Sequence, residues 1–227
     1  MANVLVVVAH ADDEALGCGA TIAKHAAQGD DVTLLVMTDG VSARMNTMAK
    51  SSPIVVSKKE RKSALQQSAD ILGIKHIYQA GFPDNKMDGV ELLTITQFIE
   101  KNTENVNPEI IYTHSLSDLN IDHRLTAQAV LTAFRPLPAS SVKTILSFEV
   151  LSSTEWQFGE LQFSANWFVD VSDFYDKKIS ALQCYQEEMR EFPHPRSFIA
   201  VEALAKLRGA TLGKRYCEAF QLLRHQS

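Results

Sequence analysis

Two short apolar runs and the helical segment between them fill the first 40 residues, and they constrain the fold more than any other feature of the chain. Residues 5–8 read Leu-Val-Val-Val, which is typical of a parallel strand buried on both faces. Apolar residues then recur at helical spacing from Leu16 to Ala27 and stop near Gly29, and a second apolar run covers residues 32–37. This order of strand, helix and strand is a βαβ unit, which predicts a parallel sheet with right-handed crossovers.

The rest of the chain continues the alternation of strands and helices. We predict further strands at residues 76–78, 110–113, 144–149 and 167–171, and helices at 57–72, 92–102, 123–134, 173–188 and 199–207. The sequence contains no internal repeat, low-complexity tract or long linker. The prediction is one Rossmann-like α/β domain over residues 1–227, with a mainly parallel sheet flanked by helices and a C-terminal extension.

Composition excludes several classes of partner. With a formal net charge of −5, the chain lacks the basic surface expected of a protein that binds nucleic acid or an anionic membrane. No apolar run approaches the roughly 20 residues that span a bilayer. The N-terminus enters an apolar run without a basic segment, so we predict a cytoplasmic protein. We expect reduced thiols at three scattered cysteines, Cys18, Cys184 and Cys217. The sequence allows a homo-oligomer but does not specify one.

Residues that bear polar chemistry follow two of the predicted strands. Ligands of open α/β sheets bind outside the carboxyl ends of the strands, so these positions are the first candidates for a site. Residues 9–14, after the first strand, read Ala-His-Ala-Asp-Asp-Glu, and the strand at 110–113 is followed by His114, Asp118, Asn120, Asp122 and His123. A His and an Asp three positions on can face one point, and a second His from a neighbouring strand would leave a fourth position for water. These ligands predict zinc, ahead of iron or manganese.

Each residue taken alone has an ordinary structural interpretation. Asp12 or Asp13 alone would be interpreted as the cap or first turn of the following helix, and His10 alone as a core histidine. Three acidic groups directly after a buried strand are harder to explain in this way, because unpaired buried charge is costly. The combination therefore favours a metal site.

The motif at residues 9–14 resembles the Ala-His-Pro-Asp-Asp-Glu signature of the LmbE-like (PIG-L) N-deacetylases, with Ala11 in place of the usual proline. Residues 118–124, Asp-Leu-Asn-Ile-Asp-His-Arg, resemble the second metal motif of that family, commonly His-Pro-Asp-His. Similar segments at residues 38–40, 82–85 and 217–220 extend the resemblance over nearly the whole chain. The resemblance implies a zinc-dependent hydrolase that removes an N-acetyl group from an amino sugar or sugar conjugate.

The resemblance also implies roles for the matching residues. It makes His10, Asp13 and His123 the zinc ligands. It makes Asp12 the general base, which would take a proton from the attacking water and return it to the leaving amine.

The second motif departs from the family pattern at one position. Asp122 would orient a catalytic histidine in family members that have one, but the position of that histidine is Asn120 here. An amide cannot transfer a proton as an imidazole does, although it can donate a hydrogen bond to an oxyanion. His194, which lies between two prolines, is a candidate substitute, and a structural loop is the alternative interpretation of that segment.

Four polar residues near the motif loops are candidates for binding the hydroxyl groups or a phosphate of the substrate: Arg44, Arg61, Asn85 and Arg124. The alternative for each is a solvated or salt-bridged surface group, and for Arg44 and Arg61 the two interpretations have equal weight. The sequence does not identify the sugar.

Two competing functions have some support in the sequence. Gly17-Cys18-Gly19 resembles the nucleotide loop of methyltransferases and dehydrogenases, but eight residues separate it from the strand, and Ile22 stands at the third glycine of that motif. Small residues here instead predict close packing of the first helix on the sheet. A non-catalytic sugar-binding protein on the same scaffold is favoured only by Asn120.

Overall fold

The computed structural model describes residues 1–40, 58–138, 140–156 and 162–227. The strands in these residues are β1 (Asn3–Val8), β2 (Asp31–Thr38), β3 (His76–Phe82), β4 (Ile110–His114), β5 (Thr144–Phe148), β6 (Trp167–Asp170) and β7 (Cys217–His225). They form one seven-stranded sheet in the order β3-β2-β1-β4-β5-β7-β6. The first five strands pair in parallel, and β7 runs antiparallel to both of its neighbours.

The helices cover both faces of this sheet. In the described residues they are α1 (Asp13–Ala27), α2 (Lys58–Leu72), α3 (Leu92–Thr103), α4 (Ile121–Ala133), α5 (Tyr175–Gln183) and α6 (Phe198–Ala210), with a 3₁₀ turn at Met87–Gly89. Residues from α1, α2 and α5 share one apolar cluster with one face of β1, and residues from α3 and α4 share another with its opposite face. None of these helices is long and apolar enough to cross a membrane.

Strand β1 lies at the centre of the core because both of its faces are apolar. Val4, Val6 and Val8 are fully buried on the side of α1, and Leu5 and Val7 are fully buried on the side of α3 and α4. A run without alternating polar residues suits this position, since a parallel strand covered by helices has no solvent face.

Close contact between α1 and the sheet depends on Gly17. A Cβ at this position would lie 2.7 Å from Cγ of Phe148, a fully buried residue at the end of β5. Gly17 and Gly19 both lie inside α1 rather than in a turn that leaves β1. The glycines therefore serve helix–sheet packing, as the sequence predicts, and do not form a nucleotide-binding loop.

The predicted fold class is confirmed, two predicted elements need correction, and one strand is not predicted. The strand predicted at residues 76–78 continues to Phe82, and the helix predicted at 173–188 ends at Gln183. Strand β7 is not predicted from the sequence, and it contains Glu218 in its buried half and Gln221, Arg224 and His225 further along. Glu218 is buried there because it pairs with Lys178 at 2.6 Å and accepts backbone N–H groups from α1. That compensation comes from residues distant in sequence.

We expect Gly17→Ala to lower the free energy of unfolding by about 1–3 kcal/mol or more, because the added methyl group overlaps the Phe148 ring in a packed core. Gly19→Ala is the matched control in the same helix, since its Cβ would lie 3.5 Å from Cγ of Lys178, an ordinary contact distance. The control should change stability by less than about 1 kcal/mol. Urea denaturation of the two variants measures both values, and equal effects would contradict the packing argument.

Candidate metal centre and active site

The candidate site lies where the strand order reverses. β1 lies beside β4, and the crossovers that leave these two strands run to opposite sides, from β1 to β2 and from β4 to β5, so a crevice opens at the carboxyl ends of β1 and β4. His10 and Asp13 follow β1, and His123 lies in the first turn of α4, which follows β4. All three side chains are buried, so the crevice brings ionisable groups together with little access to water.

Three side-chain atoms converge in this crevice. His10 Nδ1 lies 3.2 Å from both Asp13 Oδ2 and His123 Nε2, and His123 Nε2 lies 3.3 Å from Asp13 Oδ2. Ligands that bind zinc tetrahedrally at 2.0–2.1 Å are separated from one another by about 3.3 Å. The triangle therefore has the dimensions of one face of a zinc coordination tetrahedron, and these three residues fit a metal ion.

Local backbone structure positions each of these residues. The backbone N–H of His10 donates to Asp13 Oδ2 at 2.8 Å, which closes the turn between β1 and α1. Asn120 caps α4, because its side-chain oxygen accepts the N–H groups of Asp122 at 2.8 Å and of His123 at 3.4 Å. The cap fixes the first turn of α4, and with it the position of the His123 ring.

Two carboxylates contact the ring nitrogen of His10 that points away from the triangle. Its Nε2 lies 3.2 Å from Asp122 Oδ2 and 3.2 Å from Asp84 Oδ1. Asp122 is fixed in turn by the backbone N–H groups of Asn85 at 2.6 Å and Met87 at 3.1 Å. Asp122 therefore faces a predicted metal ligand, and its contacts make it an orienting group for His10.

A similar arrangement supports His123. Its Nδ1 lies 3.1 Å from Asp118 Oδ2, and Asp118 also accepts hydrogen bonds from the hydroxyl groups of Ser153 and Thr154. Burial alone would raise the pKa of Asp118, but the hydrogen bond to His123, the electrostatic interactions with His123 and His114 and the hydrogen bond from Ser153 together lower it to about 2. Asp118 is therefore a carboxylate at neutral pH, and it fixes the ring of His123.

His114 supports the centre without being available as a ligand. Its ring stacks on that of His123, with centroids 3.9 Å apart, and its Nε2 accepts the backbone N–H of Ala9 at 2.9 Å. Burial lowers the pKa of His114 to about 3, so the ring is neutral. A nitrogen that already accepts a hydrogen bond has no lone pair left for a metal, which argues against an ion held by His114, Asp118 and His123. Two groups of the described residues then have suitable geometry: His10 with Asp13 and His123, and His10 with Asp84 and Asp122.

The electrostatics of the cluster favour a bound cation. Burial opposes charge on every member, yet the carboxylate of Asp13 raises the pKa of His123 to about 9, and Asp122 and Asp13 raise the pKa of His10 well above its usual value. Interaction with His123 keeps the pKa of Asp13 well below its usual range despite burial. The carboxylates therefore hold positive charge between them, which a metal ion would supply in place of protons.

Asp12 lies beside this cluster with its side chain turned elsewhere. It has a backbone φ of 124°, a conformation that is unusual for any residue except glycine. Its Oδ2 forms an ion pair with Nη1 of Arg196 at 2.7 Å, while Oδ1 is buried without a hydrogen-bond partner in the part of the chain that the structure describes. Burial raises the pKa of Asp12 to about 6, and Arg196 limits the rise. Asp12 and Asp13 thus have different surroundings despite being adjacent.

The remaining predicted residues have varied surroundings. Arg61 pairs with Glu188 at 2.6 Å, and Arg124 donates to the carbonyl groups of Asp118 and Leu119 at 2.6 Å. Both contacts favour the structural alternative given above. Asn85 is exposed and accepts a hydrogen bond from Nδ2 of Asn120 at 3.2 Å, beside the cluster. Arg44 lies outside the described residues.

His194 is exposed, and its side chain stabilises the loop that precedes α6. Its Nδ1 accepts the backbone N–H of Arg196 at 3.0 Å. The sequence pattern thus indicates the segment that approaches Asp12 but not the residue that contacts it. Three further residues that contact the site are not predicted from the sequence: Arg196, Asp84 and Ser153. The contact of Asp118 with His123 is not predicted either. A signal for Arg196 is hard to find, because 184 positions separate it from Asp12.

The fold and the cluster together define an α/β protein with His and Asp side chains that could hold a metal ion at a topological switch point. The family model described as PIG-L, GlcNAc-PI de-N-acetylase, matches residues 5–134. This match covers more than half of the 227 residues, and the chain belongs to the PIG-L family. The matched segment contains His10, Asp12, Asp13 and His123.

Known proteins are similar over most of the chain. The protein named Probable N-acetyl-alpha-D-glucosaminyl L-malate deacetylase 2, from Bacillus cereus, is 29% identical over 203 residues, which are 86% of this chain and 88% of that protein. The 4-oxalmesaconate hydratase of Pseudomonas putida is 26% identical over 84% of this chain and 76% of its own length. The solved N,N'-diacetylchitobiose deacetylase of Pyrococcus horikoshii has a TM-score of 0.76 and 21% identity, and the alignment covers 98% of this chain and 84% of that one. This last similarity shows a shared fold.

We expect Asp118→Asn to weaken the affinity of the site for Zn²⁺ by about 10–100-fold, because an amide cannot replace the carboxylate that orients His123. Competition with a chromophoric chelator measures this change. Asp88→Asn, at an exposed position in the 3₁₀ turn, is the control and should leave the affinity unchanged. Equal affinities of the Asp118 variant and the unaltered protein would refute the orienting role.

Proposed function

We propose that this protein is a zinc-dependent hydrolase that removes the acetyl group from the nitrogen of an amino sugar or sugar conjugate. The observation that carries the proposal is the triangle of His10, Asp13 and His123 with the carboxylate of Asp12 beside it. Membership of the PIG-L family and a relative named as a deacetylase support the choice of reaction.

The residues of the triangle would hold the metal through His10 Nδ1, Asp13 Oδ2 and His123 Nε2. Zinc at this position would make water nucleophilic near neutral pH and would polarise the acetamide carbonyl. Asp122 and Asp118 keep the two imidazole rings in place through their outer nitrogens.

Asp12 would carry the proton through the reaction. Its carboxylate takes a proton from the attacking water as the new C–O bond forms, and it gives the proton to the nitrogen as the C–N bond breaks. The products are acetate and the free amine of the sugar. A carboxyl group whose pKa is about 6 suits both steps, because it is ready to accept and to release a proton near neutral pH.

Asn120 would contribute hydrogen bonding rather than proton transfer. Its oxygen caps α4 and one N–H reaches Asn85, so the remaining N–H is available to the developing oxyanion or to a substrate hydroxyl. Asn85, exposed beside it, is our candidate for a contact with the sugar. Arg61 and Arg124 are engaged in contacts with the protein, and we give them structural roles.

A screen of the zinc-loaded protein against N-acetylated sugars and nucleotide sugars tests the proposal. Release of acetate and of a free amine in equal amounts is the expected result. A sugar-binding protein without activity would bind these compounds and release neither product. Hydration, the activity in the name of the 4-oxalmesaconate hydratase from Pseudomonas putida, would consume water without releasing acetate.

We expect Asp12→Asn to keep the metal and to lose activity by about 10²–10⁴-fold, because the amide is nearly isosteric but cannot accept the proton. Asp13→Asn should lose metal and activity together and recover in part with excess zinc. Metal analysis and acetate release separate the two effects.

Asp30→Asn is the control for these substitutions. Asp30 is a mostly buried aspartate that pairs with His25 at 2.8 Å, away from the metal cluster, and its replacement should leave the rate unchanged. Loss of metal from the Asp12 variant with retention by the Asp13 variant would reverse the two roles. Full activity in both variants would refute the hydrolase mechanism.

A further inference from the structure

Asp12 is held from three directions. Its backbone N–H donates to Glu14 Oε2 at 3.0 Å, and its carbonyl accepts the N–H groups of Ala15 and Leu16 at the start of α1. The third contact is the ion pair between Oδ2 and Arg196. The backbone contacts fix where the side chain begins, and the arginine determines where the carboxylate lies.

Arg196 is itself anchored by several groups. Its Nε donates to Ser152 Oγ at 2.7 Å, and Glu188 Oε2 lies 3.9 Å from its Nη1. The backbone of its loop is closed by the N–H of Arg190, which donates to the carbonyl of Arg196 at 2.9 Å. The next residue, Ser197, caps α6. Arg196 is therefore held through both its side chain and its backbone.

The two oxygens of Asp12 consequently differ. Oδ2 is occupied by the arginine, whereas Oδ1 has no partner among the described residues although it is buried. A buried carboxylate oxygen without a hydrogen bond is costly, which marks Oδ1 as the atom left for another molecule.

We propose that Arg196 is a positioning residue that holds Asp12 by Oδ2 and so presents Oδ1 as the oxygen that exchanges protons with water and the leaving amine. This inference rests on the proposed deacetylase function. The arginine acts through Asp12, and its role is to keep Oδ1 at one place during both proton transfers.

The loop that anchors Arg196 also supports the metal centre. Ser152 binds Arg196, and its neighbour Ser153 contacts Nδ1 of His123 at 3.3 Å. The carboxylate of Glu155 accepts the backbone N–H groups of both serines, at 2.6 Å and 3.0 Å. One short turn therefore fixes the general base and one metal ligand relative to each other, as a reaction that needs both groups requires.

The test compares Arg196→Gln with Arg208→Gln. Arg208 forms the best matched control, because it makes a two-pronged ion pair with Glu149, at 2.8 Å and 2.7 Å, and is similarly protected from solvent. We expect Arg196→Gln to lower kcat by about 10²-fold, the effect of a small misplacement of a reacting group, with KM and zinc content little changed. Arg208→Gln should leave kcat unchanged, even if it lowers stability.

Chemical rescue and a crystal structure distinguish the positioning role from a purely structural role of Arg196. Added guanidinium should restore part of the activity of Arg196→Ala and should not change the activity of Arg208→Ala. A crystal structure of Arg196→Gln should show the Asp12 carboxylate rotated, with His10, Asp13 and His123 in place. Arg196→Lys provides a variant that keeps the charge if the others fold poorly, and it should recover part of kcat.

The outcomes separate the two hypotheses. An unchanged kcat in Arg196→Gln, or an effect confined to KM, would overturn the positioning role while leaving the deacetylase function intact. Absence of acetate release by the unaltered protein would overturn the proposed function. In that case the crystal structure still tests the arginine, because an unmoved Asp12 carboxylate in Arg196→Gln refutes its positioning role independently of activity.

Discussion

The structure depends on charged groups that are forced together at the carboxyl ends of β1 and β4. Asp13 and two imidazoles meet within 3.3 Å of one another, and further carboxylates stand behind the rings. Such a set is stable in a buried crevice only if positive charge lies within it. The backbone turn after β1, the cap of α4 and the stacked His114 all maintain this arrangement. A metal ion is the simplest charge that satisfies the whole set.

The residues of the candidate site lie in the segment that matches the family model, and some of the residues that orient them lie outside it. The segment matched by the family, residues 5–134, carries the residues of the metal triangle and the proposed base. The contacts that orient them come in part from beyond that segment, through Ser153 on Asp118 and Arg196 on Asp12. Both supporting residues lie outside the helices and strands, Ser153 after β5 and Arg196 between α5 and α6, where sequence can change without loss of the sheet. Differences in this part are where we expect related chains to differ in rate and substrate.

Sequence patterns predict local structure correctly where a residue type has a single common structural role. The apolar run of β1 indicated a doubly covered strand, and small residues around Gly17 indicated close packing against the sheet, which the contact with Phe148 explains. No such pattern marks β7, because the burial of Glu218 depends on its pairing with Lys178 and on backbone N–H groups of α1. The sequence pattern also indicates His194 in a loop in which Arg196 makes the contact with Asp12.

The sequence by itself determined the α/β class, the parallel core and the two strand ends at which polar chemistry would gather. These features follow from local periodicity and from residues close together in the chain, which interact over short loops. The tertiary structure alone decided which oxygen of Asp12 is occupied and which nitrogen of each histidine faces the centre. It also decided that Asp122 contacts His10, and not the side chain at position 120. Those choices depend on contacts between residues more than 100 positions apart, and no local pattern encodes the direction of a side chain across such a distance.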